Sequence, residues 1–170
     1  MELDEINQAL DALAAELAQR GVRGKIYLVG GAAMILAFQS RTATGDVDAG
    51  VYPPEEVLAA AAEVGRRLGL PEDWLSDQAK IYFPSVGSIR WNPVLHWDSL
   101  EVVAADERTM LALKLRASRG RRDETDIRFL LQRLGIDHKV AALSIYEEFF
   151  PEDPLPERAD RILNGIYGEP

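Results

Sequence analysis

A chain of 170 residues, 47% hydrophobic and 28% charged, is long enough to bury a core and leaves little room for a large disordered region. No cysteine and only two histidines exclude disulfides, thiolate metal sites and histidine-rich zinc centres, so any metal must bind mainly to oxygen. A formal charge of −9 opposes broad coating of nucleic acid, and with no apolar run of membrane-spanning length and an acidic Met1-Glu2-Leu3-Asp4-Glu5 start, the expected location is cytoplasmic, with no membrane partner.

In chain order, Leu3 to Ala18 places Ile6, Leu10, Leu13, Ala14 and Leu17 at helical spacing, and Gly21 stops the run. Lys25 to Val29 reads as a buried strand that turns at a glycine pair into a helix over Ala32 to Phe38. Asp46 to Val51 is the next strand, ended by Pro53-Pro54, and a long helix follows from about Glu55 to Leu68. Trp74 to Ser76 reads as a helical turn, and Ala79 to Phe83, Ser88 to Trp91 and Leu100 to Val103 as strands, with Pro84 and Pro93 at strand ends or edges. From Glu107 the pattern is helical, broken near Gly120, Gly135 and Pro151 to Pro156. The expected fold class is a mixed α/β (α+β) sheet flanked by helices. Residues 1–106 form its core, and a helical part, 107–170, packs on it as a single compact unit.

Two short motifs carry chemistry. Leu28-Val29-Gly30-Gly31-Ala32 sets a glycine pair between strand and helix, where missing side chains let backbone N–H groups approach an anion. Asp46-Val47-Asp48 sets two carboxylates at a period of two, on one face of a strand, where they repel unless a cation lies between them. Mg²⁺ is the hard, oxygen-seeking candidate that also bridges phosphates. Arg41 and Thr44 add a cation and a hydroxyl just ahead of the pair.

With Arg41-Thr42-Ala43-Thr44-Gly45-Asp46-Val47-Asp48-Ala49, this order resembles the nucleotidyltransferase superfamily that includes DNA polymerase beta, and more narrowly its AbiEii-like bacterial branch. The resemblance runs through Pro71-Glu72-Asp73-Trp74-Leu75, Leu111-Ala112-Leu113-Lys114, Arg122-Asp123 and Asp126-Ile127, and covers roughly Tyr27 to Leu134. It implies a nucleotidyltransferase-like core and Mg²⁺- or Mn²⁺-dependent transfer of a nucleoside monophosphate from an NTP to RNA or tRNA, protein or a small molecule. It also implies a link to toxin–antitoxin systems, with a cognate toxin or antitoxin as partner. In that reading Asp46 and Asp48 hold the metal, Gly30, Gly31, Arg41, Thr44 and Lys114 bind the nucleotide, and Asp46, Asp48, Lys114 and Asp123 are catalytic. A non-catalytic binding or antitoxin-like regulatory protein on the same fold is the competing reading.

The residues support parts of this independently. Lys114 projects among Met110, Leu111 and Ala117, the apolar side of its helix, and needs an anionic partner such as a phosphate or Asp123. Asp123 points in line with Ile127, Leu130 and Leu134 and ranks above Asp126, which sits near the edge of that face and could pair with Arg122. The superfamily's third carboxylate has only Glu101 as a well-placed candidate, with Asp98 behind it, and edge-strand solubility explains Glu101 equally. Arg108, Lys114, Arg116, Arg119, Arg121 and Arg122 crowd one segment and suggest an anion site. Trp91, His96 and Trp97 cluster, yet packing explains them more simply than base stacking, and His138 reads as structural. Lys80 and Tyr82 alternate on their expected strand and have no assigned role.

Overall fold

The computed structural model describes residues 1–84, 86–118 and 120–168 and has a mixed α+β fold. Arg119 of the basic segment lies outside the described residues. The chain divides into two compact units: Met1–Ile81 with Trp91–Ala105, and Tyr82–Arg90 with Asp106–Pro170. The second unit thus begins near the expected 106/107 boundary but also claims the 82–90 segment.

The first unit is built on a five-stranded sheet in the order β3-β2-β1-β5-β4. Its strands are β1 (Gly24–Leu28), β2 (Val47–Tyr52), β3 (Leu75–Ser76), β4 (Trp91–His96) and β5 (Leu100–Ala105). β1 runs antiparallel to β2 and parallel to β5. Along β1, Gly24, Ile26 and Leu28 are buried and alternate with half-buried Lys25 and Tyr27, the period-two pattern of a sheet with two different faces. The Gly24 face meets Leu17 of α1 (Leu3–Gln19) and Val57 of α3 (Pro54–Leu68). Ile6, Leu10, Leu13 and Leu17 of α1 are fully buried. Each such side chain contributes about 1.5–3 kcal/mol, so this stripe, more than intrinsic propensity, holds the helix.

Three expectations for the middle of the chain are corrected. The helical turn at Trp74 to Ser76 is instead β3, paired parallel to β2 through Val47↔Leu75 and Asp48↔Ser76. Trp74 is buried beside it, with its indole N–H donating to the Ala61 carbonyl at 2.8 Å. The strand over 79–83 is a 3-10 turn, Gln78–Tyr82, in which Lys80 pairs with Asp77. The strand expected at 88–91 begins only at Trp91, and Pro93 sits in edge strand β4 beside a bulge, where its missing N–H costs least.

The second unit contains α4 (Glu107–Ala117), α5 (Arg121–Arg133), α6 (Lys139–Phe149) and α7 (Glu157–Tyr167), with breaks where the sequence places them. Asp106 caps α4 by accepting from the Thr109 N–H at 2.9 Å. α4 packs on α5 and α6, and α6 on α7. Met110, Leu111, Leu115, Ile127, Tyr146 and Leu163 are buried in the unit's core.

Candidate functional site

β1 ends at Leu28, and the ladder to β2 extends one step further through the Val29 N–H, which donates to the Asp48 carbonyl at 3.1 Å. The next two residues are the glycine pair, which opens α2 (Gly30–Leu36) two residues earlier than the sequence suggests. Gly30 adopts φ +64°, and a Cβ there would fall 2.7 Å from Asp48 Oδ2. A side chain is therefore opposed twice at Gly30, by the left-handed backbone and by the carboxylate. A Cβ at Gly31 would fall 2.1 Å from Thr44 Oγ1 and 3.3 Å from Arg41 Nη1. The two glycines thus bring Asp48, Thr44 and Arg41 against one turn.

Backbone pairing holds this loop in place. The Thr44 N–H donates to the Met1 carbonyl at 2.9 Å, and Glu2 bridges to Ala43. Thr44 is buried, while Arg41, Asp46 and Asp48 are half-buried. Asp46 stands in the bend just before β2 rather than on the strand, so the period of two fixes the face of Asp48 but not that of Asp46.

Glu101 does not join this group. Register sets it opposite Lys25, four residues before Val29 on the parallel neighbour, about 13 Å along the strands at 3.3 Å per residue. Its carboxylate pairs with the Lys25 ammonium at 2.9 Å. That bond holds the lysine pKa above its ordinary value. Among the described residues, no cluster of three or more His, Asp or Glu is arranged to hold a metal.

The remaining predicted residues gather within the second unit. Lys114 is 7% exposed, and its Nζ lies 3.1 Å from Asp123 Oδ1 and 2.8 Å from Asp126 Oδ2. The expectation that Lys114 needs an anionic partner is met twice over, by carboxylates of the same unit. Asp126, at 1% exposure, is the deeper of the two and the closer to the Lys114 ammonium. The expected Asp126–Arg122 pairing is replaced by Asp126–Lys114, and Arg122 is exposed in the first turn of α5. The i,i+3 spacing of Asp123 and Asp126, which sets both on one helix face, is the sequence signal for this arrangement.

Other cations of the basic segment are also engaged within the unit. Arg108 pairs with Glu148, while Arg116 pairs with Asp153 and covers the Phe150 ring. Arg133 at the end of α5 bonds Glu107 at 2.8 Å and holds that carboxyl below its usual range. His138 sits at the start of α6 against Asp137, and Trp97 donates to Asp11 at 3.1 Å. His96 lies exposed on β4, in register with Glu101.

The first-unit arrangement offers a carboxylate, a hydroxyl and a guanidinium around a turn without side chains, a set suited to a phosphate-bearing ligand with its counter-cation. Among the described residues, no helix is long and apolar enough to cross a membrane. Comparison with protein-family models, curated proteins and solved structures finds no match to this chain.

Proposed function

We propose that the chain is a nucleotidyltransferase that moves a nucleoside monophosphate from an NTP to an acceptor hydroxyl. The observation that carries this reading is the packing of Asp48 against Gly30 and of Thr44 and Arg41 against Gly31, because each glycine admits a group the chemistry needs. In the transfer, the acceptor oxygen bonds to the α-phosphorus, the α–β bridging P–O bond breaks and pyrophosphate leaves. The hydroxyl proton passes to solvent.

Asp46 and Asp48 are the residues that would hold Mg²⁺ or Mn²⁺. Two carboxylates fit such a cation, since Mg²⁺ is bound by one or two carboxylates together with substrate phosphates and keeps several waters. Bound there, it would supply positive charge to the triphosphate. The Arg41 guanidinium binds phosphate oxygens, the Thr44 hydroxyl orients them, and Gly30 and Gly31, having no side chains, let Asp48, Thr44 and Arg41 close on the turn. Such transfer depends on positioning and on preset charge more than on covalent participation of the protein. By the family resemblance, the acceptor classes are RNA or tRNA, protein or a small molecule, and the setting is a toxin–antitoxin pair.

One observation favours the second reading, a binding or antitoxin-like protein on this fold. Lys114, expected to face phosphate, is instead held by two aspartates. Labelled NTPs incubated with cellular RNA and protein, using the parent and Asp46→Ala, separate the two. The enzyme reading expects Mg²⁺-dependent label transfer by the parent and its loss in the variant. Equal labelling by both overturns the metal site, and no labelling together with no Mg²⁺-dependent thermal shift by any NTP overturns the enzyme.

A further inference from the structure

Trp91 reads as a packing residue in the sequence, but strand register gives it a second context. Ile26 and Leu28 face the α1 and α3 side of the sheet, so Lys25 and Tyr27 face the other. Tyr27 pairs with Gly50 on β2 and with Val103 on β5, and Trp91 pairs with Ala105. By the same alternation Asp48, two residues from Gly50, belongs to the Tyr27 face. The Tyr27 and Trp91 rings meet edge to face, with centroids 5.0 Å apart and planes at 69°. Both are half-buried, so each keeps part of its surface accessible. The Lys25 ammonium lies 5.5 Å from the Tyr27 centroid.

Two features relate this pair to Asp48. Gly50, the β2 residue opposite Tyr27, is buried and has no side chain of its own beside the ring. One strand spacing and two residues separate the Tyr27 and Asp48 backbones, about 8 Å from standard sheet dimensions. This is the scale on which a nucleotide separates its base from its phosphates.

We propose that Tyr27 and Trp91 form the base-binding subsite of the NTP, the nucleobase packing on the aromatic pair while the phosphates lie at Asp48, Arg41 and Thr44. The proposal rests on the nucleotidyltransferase reading and adds what that reading leaves open, the means of holding the base. Aromatic rings recognise a base by its π-face, which every base has. The subsite therefore accepts all four bases, with purines held more tightly through their larger stacking area.

Calorimetric titration of the full chain at fixed Mg²⁺, with ATP, CTP and inorganic tripolyphosphate in turn, tests this. The parent is expected to bind ATP more tightly than CTP, and CTP more tightly than tripolyphosphate. Tyr27→Leu and Trp91→Leu are expected to weaken ATP by about tenfold, within the range of stacking contributions, while leaving tripolyphosphate unchanged. Unchanged tripolyphosphate binding also certifies that the variant is folded. ATP should quench tryptophan fluorescence in the parent, tripolyphosphate should not, and Trp91→Phe should abolish the quenching, a readout that needs no large truncation. Equal affinity of the parent for ATP and tripolyphosphate, or ATP binding unaffected by either leucine variant, overturns the base subsite alone. Binding of neither ligand overturns the nucleotide reading and the subsite with it.

Discussion

The two charged clusters of this molecule use the same residue types in opposite ways. Around Gly30 and Gly31, half-buried Asp48 and Arg41 and buried Thr44 are drawn against a turn that has no side chains of its own. In the second unit, buried Lys114 sits between Asp123 and Asp126, its charge answered inside the fold. Partly accessible charge gathered at a strand-to-helix turn suits a ligand, whereas a lysine sealed against two carboxylates suits architecture. The contrast teaches that a lysine on an apolar helix face reveals its need for an anion but not whose anion answers it.

The largest expected effect strikes the second cluster. Lys114→Met removes the ammonium that both aspartates share, and removing one partner of a buried ion pair costs about 3–5 kcal/mol. Urea unfolding should show that loss, while Asp48→Asn should change stability by no more than about 1 kcal/mol because its site is partly open to water. If Asp48→Asn destabilises the protein as much as Lys114→Met, the distinction between a ligand site and an architectural one collapses.

Gly31→Ala comes next. Its methyl group would overlap Thr44 Oγ1 at 2.1 Å and lie 2.9 Å from Thr44 Cβ, neither of which is the far end of a flexible chain. Forced overpacking of this kind costs about 1–3 kcal/mol and displaces the loop. Unfolding should report the cost, and Mg²⁺-dependent NTP binding should fall by more than the stability loss explains. Retention of full binding would show that Thr44 and Arg41 need not sit at the turn.

A smaller effect of opposite sign is expected at Thr109 in the first turn of α4. Its hydroxyl is fully buried and has no hydrogen-bond partner among the described residues. Thr109→Val keeps the shape and removes the unsatisfied group, so stability should rise by about 1 kcal/mol. A loss on denaturation would show that the hydroxyl has a use.

How much of this was legible follows from the range of the interactions involved. The glycine turn and Asp48 were readable because strand, Gly-Gly and Asp-x-Asp are local, and the period of two carries Asp48 to a definite face. Asp46 was misplaced because a strand boundary one residue later removes it from that alternation. The place of Glu101 is non-local: only its register with Lys25 reveals that it lies far down the sheet from Asp48. Asp123 and Asp126 share a helix face, and their order of depth depends on where α4 lies, which no helical wheel contains. β3 was missed because two residues make a strand only when β2 is beside them. Tyr27 alternates visibly with Ile26 and Leu28, but its ring contact with Trp91 depends on where β4 lies and is not local.

The smallest predicted effects sit at the two ends of the pH scale, at one ion pair in each unit. Arg133 lowers the Glu107 pKa, so the stability from that pair is fully present above the ordinary carboxylate range and is lost as pH falls through the depressed value. Glu101 raises the Lys25 pKa, so that contribution is complete below the ordinary lysine range and is lost as pH rises through the elevated value. Both pairs are partly exposed, which limits each to about 1 kcal/mol or less. Glu107→Gln should flatten part of the acid limb of a stability–pH curve and leave the alkaline limb alone. Lys25→Met should do the reverse, with the rest of the alkaline decline coming from Tyr146 and Tyr167, whose hydroxyls burial holds in the neutral form. Stability measured by urea unfolding from pH 3 to 11, numbers that bracket the ordinary Glu and Lys values, would decide it. A Lys25→Met curve that still matches the parent at high pH would show that the Lys25–Glu101 pair adds nothing to stability.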